Sequence, residues 1–249
     1  MLNIVLPMAG RGSRFVNAGY SLPKPLVTIH GKPMIEVVVN NLRPVQSHRF
    51  IFICLAEHIE QYALTEKLFS IAPDCEIISV SETTEGAACT VLLAERYIDN
   101  TDALMVANSD QYVDIDINSY LNNCTDSGTI MTMLADDKKW SYIRIDADNN
   151  VCEVREKEVI SNEATVGIYN YTHGADYVKY AKQMIAKDIR VNGEFYVAPV
   201  YNEMIADGGK VGYYNVGAEG NGMYGLGTPE DLKMFISADI SKKAAGEKV

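Results

Sequence analysis

Residues 7–26 read PMAGRGSRFVNAGYSLPKPL, placing three Gly, two Arg and one Lys in twenty residues. Gly10 and Gly12, flanked by the small Ala9 and Ser13, let a backbone approach a ligand closely and turn its N–H groups inward, an arrangement that cradles anions. Arg14 adds a forked donor matched to phosphate oxygens. Lys24, between Pro23 and Pro25, is a cation on a stiffened turn. A surface turn with incidental charges accounts for the glycines alone. It does not account for glycine loop, arginine and P-K-P together in so short a stretch.

Two better-known phosphate loops are excluded. G-x-x-x-x-G-K-[ST] is absent, and Gly10-x-Gly12 leads to Phe15 where a dinucleotide loop needs glycine. The chain has 249 residues and a formal net charge of −11, which argues against duplex nucleic acid or an anionic membrane as partner. For an anionic ligand, the positive field must then come from a few placed residues. The cysteines (Cys54, Cys75, Cys89, Cys124, Cys152) have no C-x-x-C spacing and the histidines (His30, His48, His58, His173) no paired-ligand pattern. Neither a disulfide framework nor a zinc site is expected. Reduced thiols, with apolar runs too short for a signal peptide or membrane span, point to a cytoplasmic protein.

The elements that must position the loop alternate through the first half. Strands are expected at 2–6, 49–55, 75–80 and 102–110, the last ending in Asp110. Helices are expected at 33–42, opened by Pro33, at 57–69 and at 86–98. Such alternation implies a parallel sheet covered on both faces. The second half changes to short β segments at 129–135, 142–147, 151–156 and 164–171, then helices at 174–187 and 194–206. A turn at 207–210, a strand at 211–216 and a helix at 229–240 opened by Pro229 close the chain, and the tail 241–249 reads as solvated. The fold class expected is α/β: a Rossmann-like, mostly parallel central sheet flanked by helices, with an inserted β-rich region. One domain spans 1–249, with a nucleotide-binding half (1–125), an acceptor-binding half (126–240) and the tail. In open α/β sheets ligands sit beyond the carboxyl ends of the strands, where both the opening loop and Asp110 fall.

These residues resemble the sugar-phosphate nucleotidylyltransferases (nucleoside-diphosphate-sugar pyrophosphorylases), whose N-termini carry a glycine-rich loop ending G-S-R or G-T-R, then P-K-P. Here those are Gly10, Gly12, Ser13, Arg14, Pro23, Lys24 and Pro25. Further along, EGAACTVLLA (85–94) resembles the loop and helix start that hold the base, and Asp110 the family's magnesium aspartate. REK (155–157) and SNEATVGIYNY (161–171) resemble the acceptor-phosphate strand, NGEFYVAPVYNEMI (192–205) the sugar-pocket helix, and GTPEDL (227–232) the closing motif.

The resemblance implies a GT-A-like fold and attack by a sugar-1-phosphate, or a related phosphorylated polyol, on the α-phosphorus of an NTP, expelling pyrophosphate. Such activated sugars feed polysaccharide biosynthesis. Positioning and charge neutralisation dominate that chemistry. By resemblance, Arg14 and Lys24 hold the triphosphate and departing pyrophosphate, the backbone of Ala9, Gly10, Gly12 and Ser13 cradles the nucleotide, and Gly86 faces the base. Asp110 binds Mg²⁺. Lys157 holds the acceptor phosphate, Glu156 and Glu194 accept from acceptor hydroxyls, and Gly167 lies on the acceptor strand.

Simpler roles stand beside these. Asp110 suits a turn cap, Lys157 a solvated charged run, Glu194 a first-turn helix acid, and Trp140 and Tyr142 plain core. The chain also departs from the pattern. Ala9 stands at the first loop glycine, Pro7 at an aliphatic position, Ser81 at a glutamine many members place before the base loop, and Gly225 at a second metal-binding aspartate. Base, acceptor and oligomeric state stay open. Two other functions fit part of the pattern. A metal-dependent glycosyltransferase accounts for Asp110 but not for Arg14 and Lys24. A non-catalytic nucleotide-sugar-binding protein accounts for Gly225, and would hold ligand without releasing pyrophosphate.

Overall fold

The computed structural model describes residues 1–247; the last two residues of the expected tail lie outside the described residues. The strands, in chain order, are β1 (Leu2–Met8), β2 (Thr28–Ile29), β3 (Lys32–Pro33), β4 (His48–Leu55), β5 (Glu76–Val80), β6 (Ala103–Ala107), β7 (Gln111–Val113), β8 (Gly128–Leu134), β9 (Ser141–Ile145), β10 (Val151–Glu156), β11 (Glu163–Tyr171), β12 (Val211–Glu219) and β13 (Gly222–Gly225). All but β2 and β3 join one sheet, ordered β5-β4-β1-β6-β11-β8-β12-β13-β7, with β9 and β10 as a side hairpin against β11.

Strands β5, β4, β1 and β6 run parallel, while β11 runs antiparallel to both β6 and β8. The second half therefore extends the same sheet. Strand β1 shows how the centre is filled: Leu2, Ile4, Leu6 and Met8 enter one core and Val5 the other, while the buried Asn3 side chain accepts from Arg49. The first core packs the helices Met34–Leu42 and Pro229–Ser237 through Val38, Leu42, Leu232 and Phe235. The second packs Ala87–Leu92 and Gly174–Ala186 through Ala88, Val91, Tyr177 and Ala181. A sheet buried on both faces needs such predominantly apolar strands.

Successive strands step outward from β1 through β4 to β5, and then the order reverses to β6. That reversal opens a crevice beyond the carboxyl ends of β1 and β6, and the glycine-rich loop and Asp110 follow those two strands directly.

Several expected boundaries shift. The helix expected over 57–69 is two, Ala56–Tyr62 and Leu64–Ile71, separated by Ala63 at φ 49°. The 86–98 helix is likewise two, Ala87–Leu92 and Glu95–Ile98. Only Val200–Ala206 is helical within 194–206. In the segment before it, turns at 192–193 and 198–199 flank Phe195, whose backbone bonds to another loop. The short β7 and β13 pair through Gly225 and Gln111. The start of the tail is a docked helix, Ile240–Ala244, with Ser241 fully buried and donating to Ile236 and Ala238 carbonyls.

Candidate active site

The loop after β1 turns on Gly12, whose φ of 61° caps the helix Ser13–Asn17, while buried Phe15 anchors that helix to the core. A Cβ on Gly12 would lie 3.3 Å from Lys24 Cβ, so the small residue lets the P-K-P turn close onto the loop. Pro23 precedes the 3-10 turn Lys24–Leu26, and Pro25 is buried. From this turn Lys24 Nζ reaches Asp110 Oδ2 at 2.8 Å, both side chains about a quarter exposed (23% and 24%). Arg14 is exposed and, among the described residues, has no ion-pair partner.

Asp110 is fixed from the far end of the chain. Its carbonyl accepts from Leu226 N at 2.8 Å. A Cβ on Gly227 would come within 2.8 Å of its Oδ2. The closing G-T pair thus packs its backbone on the carboxylate, and Thr228 caps the helix Pro229–Ser237 through Asp231 N.

Two cavities share Ala87 as a wall residue. One, of about 400 Å³, lies between the opening loop and residues 83–90, with Ala9, Gly10, Thr84, Gly86 and Glu194 among its walls. Gly86 has φ 138°, and a Cβ there would fall 2.4 Å from Phe195 O. Phe195 N donates to Glu85 O at 2.9 Å and Phe195 O accepts from Ala88 N at 3.0 Å. The two loops are therefore clasped backbone to backbone, which only glycine permits. The Thr84 hydroxyl donates to Gly86 O at 2.8 Å and meets the Thr90 hydroxyl at 2.6 Å.

The second cavity, about 250 Å³, is walled by Asn108, Trp140, Glu156, Gly167, Tyr196 and their neighbours. Gly167 has φ 82° beside a bulge in β11, and a Cβ there would strike Asn108 Nδ2 at 2.2 Å. Glu156 accepts from the Ser141 hydroxyl, and burial pushes its carboxyl above the ordinary range. Lys157 Nζ donates to the Tyr196 hydroxyl at 2.6 Å.

The structure thus brings Lys24 and Asp110 together and puts Ala9, Gly10 and Gly86 on one cavity and Glu156 and Gly167 on the other. Glu194 lines the first cavity, beside Gly86, rather than the second with Glu156. Trp140 is half-buried and lines the second cavity, whereas Tyr142 is fully buried core. Asn108, Ser141 and Tyr196 were not singled out in the sequence; Tyr196 falls inside the 192–205 stretch, Asn108 lies just before Asp110, and Ser141 adjoins Trp140.

Among the described residues no group of three or more His, Cys, Asp or Glu gathers to hold a metal ion. Asp110 is one acid, and Gly225 supplies none; a Cβ there would lie 3.8 Å from the Asp231 carboxylate. A single carboxylate fits Mg²⁺ that arrives with phosphate oxygens and keeps several waters.

The family model described as nucleotidyl transferase matches residues 3–214. The chain belongs to the nucleotidyl transferase family. It is 22% identical over 174 residues to the bifunctional protein GlmU of Methanococcus aeolicus, and 27% identical over 173 residues to that of Methanococcus maripaludis. Each match covers 68% of this chain but only 40% and 39% of the relative, so the chain spans well under half their length. Among solved structures, a nucleoside-diphosphate-sugar pyrophosphorylase from Vibrio cholerae RC9 superposes with a TM-score of 0.79 at 25% identity, over 94% of this chain and 100% of that one. The inositol-1-phosphate CTP transferase of T. maritima, at 14% identity, shares the fold with a TM-score of 0.75 over 99% and 98% of the two chains.

Proposed function

We propose that this protein transfers a nucleotidyl group from an NTP to a sugar-1-phosphate or related phosphorylated polyol, releasing pyrophosphate. The observation that carries the reading is the meeting of Lys24 and Asp110 at 2.8 Å in the β1/β6 crevice, where the glycine-rich loop also ends. A glycosyltransferase has no triphosphate for a lysine on this loop to grip.

In this reading the backbone around Ala9, Gly10, Gly12 and Ser13 cradles the triphosphate, and Arg14 and Lys24 neutralise the departing pyrophosphate. The cavity at Gly86 takes the base and ribose. Lys157 holds the acceptor phosphate, Glu156 accepts from acceptor hydroxyls, and Gly167 lets Asn108 lie against the wall of that cavity. Glu194, on the nucleotide side, faces the junction of the two ligands. Asp110 would hold Mg²⁺ carried by the nucleotide, which when bound offsets phosphate charge and aligns the oxygens. The protein's own contribution is to hold two repelling anions in line.

All five thiols are unpaired, which supports a cytoplasmic setting, and no helix among the described residues is long and apolar enough to cross a membrane. The test is pyrophosphate release with Mg²⁺, pairing ATP, CTP, GTP, UTP and dTTP with a panel of sugar- and polyol-phosphates. Acceptor-dependent release with one nucleotide is expected. Nucleotide binding without release from any pair would replace this reading with that of a nucleotide-sugar-binding protein.

A further inference from the structure

Lys157 follows β10 in the charged run Arg155-Glu156-Lys157-Glu158, where a lysine ordinarily waves in water. Here it is exposed but tethered beside the second cavity, whose wall includes Tyr196. Its φ is 56°, in the left-handed region a side-chain-bearing residue seldom adopts. Its N–H donates to Trp140 O at 3.1 Å. The side chain crosses to the segment before the helix Val200–Ala206, where Nζ donates to the Tyr196 hydroxyl at 2.6 Å and lies 4.7 Å from the ring centroid. That hydrogen bond, made at the hydroxyl edge of the ring, selects one rotamer of a residue that otherwise has many.

Tyr196 is itself held. Its neighbour Phe195 is fully buried and clasped to Glu85 and Ala88 by backbone hydrogen bonds. The Arg190 guanidinium sits 4.0 Å over the Phe195 ring and donates to Glu85 at 3.2 Å and Gly193 O at 3.2 Å. The phenol therefore stands on the same loop pair that walls the nucleotide cavity through Gly86.

We propose that Tyr196 is the positioning residue for Lys157: it fixes the ammonium at the acceptor cavity and sets the acceptor phosphate in register with the nucleotide loop. The proposal rests on the acceptor role given to Lys157 above. An ammonium has three donors, so the bond to Tyr196 leaves two for phosphate oxygens. The phenol, accepting from Lys157, keeps its own O–H to donate. The hydrogen bond to Tyr196 is also the largest cause raising the Lys157 pKa, with Glu156 and Glu194 adding to it, so the ammonium keeps its charge far above neutral pH.

The test is a titration of the ¹⁵N-labelled full chain with inorganic phosphate, followed by amide shifts. In the wild type, shifts saturate both at Lys157 and at residues 10–13. Tyr196→Phe, which keeps the ring and removes the oxygen, weakens the Lys157 response by about fivefold to tenfold, the loss of one charge-assisted hydrogen bond. The response at residues 10–13 stays unchanged. Tyr196→Leu, which also lacks the hydroxyl, weakens the Lys157 response by a similar amount. Unchanged affinity at Lys157 in Tyr196→Phe overturns the proposal. So does an equal loss at both places, the mark of a merely structural residue. If the variants fail to fold, the wild type decides: nuclear Overhauser contacts join the Lys157 side-chain methylenes to the Tyr196 ring, and their absence overturns the proposal. No wild-type response at Lys157 removes its phosphate role and the proposal together, while pyrophosphate release measured in parallel reports separately on the transferase reading.

Discussion

Lys24 and Asp110, far apart in sequence, form an ion pair at 2.8 Å at the floor of the crevice. In the proposed reading the ammonium stands beside the acid that would hold a divalent cation, and a nucleotide bringing its own cation would draw the lysine onto phosphate and leave the aspartate to the metal. The pair keeps both charges compensated, which matters because an unpaired half-buried charge is costly. Lys24→Ala and Asp110→Asn should each lower turnover by about 10²-fold to 10³-fold, the scale of losing one fixed charge-stabilising group. Both variants should retain a cooperative melt. The check is pyrophosphate release beside thermal unfolding, and near-wild-type rates from either variant would remove that residue from the chemistry.

Gly86→Ala should be the most damaging single methyl in the nucleotide cavity. The added Cβ meets Phe195 O at 2.4 Å and N at 2.5 Å, backbone atoms that cannot swing aside, and φ of 138° is strained for alanine. Separating the clasped loops should cost about 1–3 kcal/mol or more and weaken nucleotide binding at least tenfold. Calorimetric unfolding and nucleotide titration measure both effects. Wild-type values in both would mean the clasp does not shape the cavity.

The parts of this site that were legible in the sequence are those made by neighbours in the chain. Gly10, Gly12 and Arg14 fall in one loop, Pro23 and Pro25 stiffen Lys24, and Asp110 follows a strongly apolar strand that ends at Ala107. Thr228 and Pro229 announce a helix start by local capping. What was not legible depends on partners distant in sequence. The expected helix does not start at 194, because Glu85 O and Ala88 N take the backbone hydrogen bonds of Phe195, and 198–199 form a turn instead. Strands β7 and β13 are too short to show a period and exist by pairing Gln111 with Gly225. Ala63 breaks a good helical pattern with no glycine to mark it. Tyr196 looked like one more aromatic residue until the fold put Lys157 against it.

Gly225 stands where the resemblance leads one to expect a second metal acid, and the structure says what restoring it would do. A side chain there points at Asp231, 3.8 Å from its carboxylate, and both line a cavity with Phe235 and Met234. Gly225→Asp should fold, since the space is open. It should lose about 0.2–0.5 kcal/mol through like-charge contact, a loss that shrinks in high salt. In the Asp231→Asn background the same substitution should cost nothing. A double-mutant cycle by urea unfolding tests this, and a penalty that persists without the Asp231 charge would refute the charge account.

Glu156 ties stability to pH. Burial raises its carboxyl above the ordinary 4.5 of glutamate, against the lowering effects of the Ser141 hydroxyl and Lys157. The folded chain therefore holds this proton more tightly than the unfolded one. The stability it contributes is complete below pH 4.5 and is lost as pH rises through the raised folded value. Glu156→Gln cannot titrate, so its melting temperature relative to the wild type should climb as pH rises through that window and level off above it. At neutral pH the amide keeps a hydrogen bond with Ser141 while losing acceptor capacity, so acceptor KM should rise with little change in nucleotide KM. Melting curves from about pH 4 to pH 7 decide the first point. A melting difference that stays constant across that range would mean the Glu156 carboxyl is as well solvated folded as unfolded, and its burial in the acceptor cavity would lose its energetic meaning.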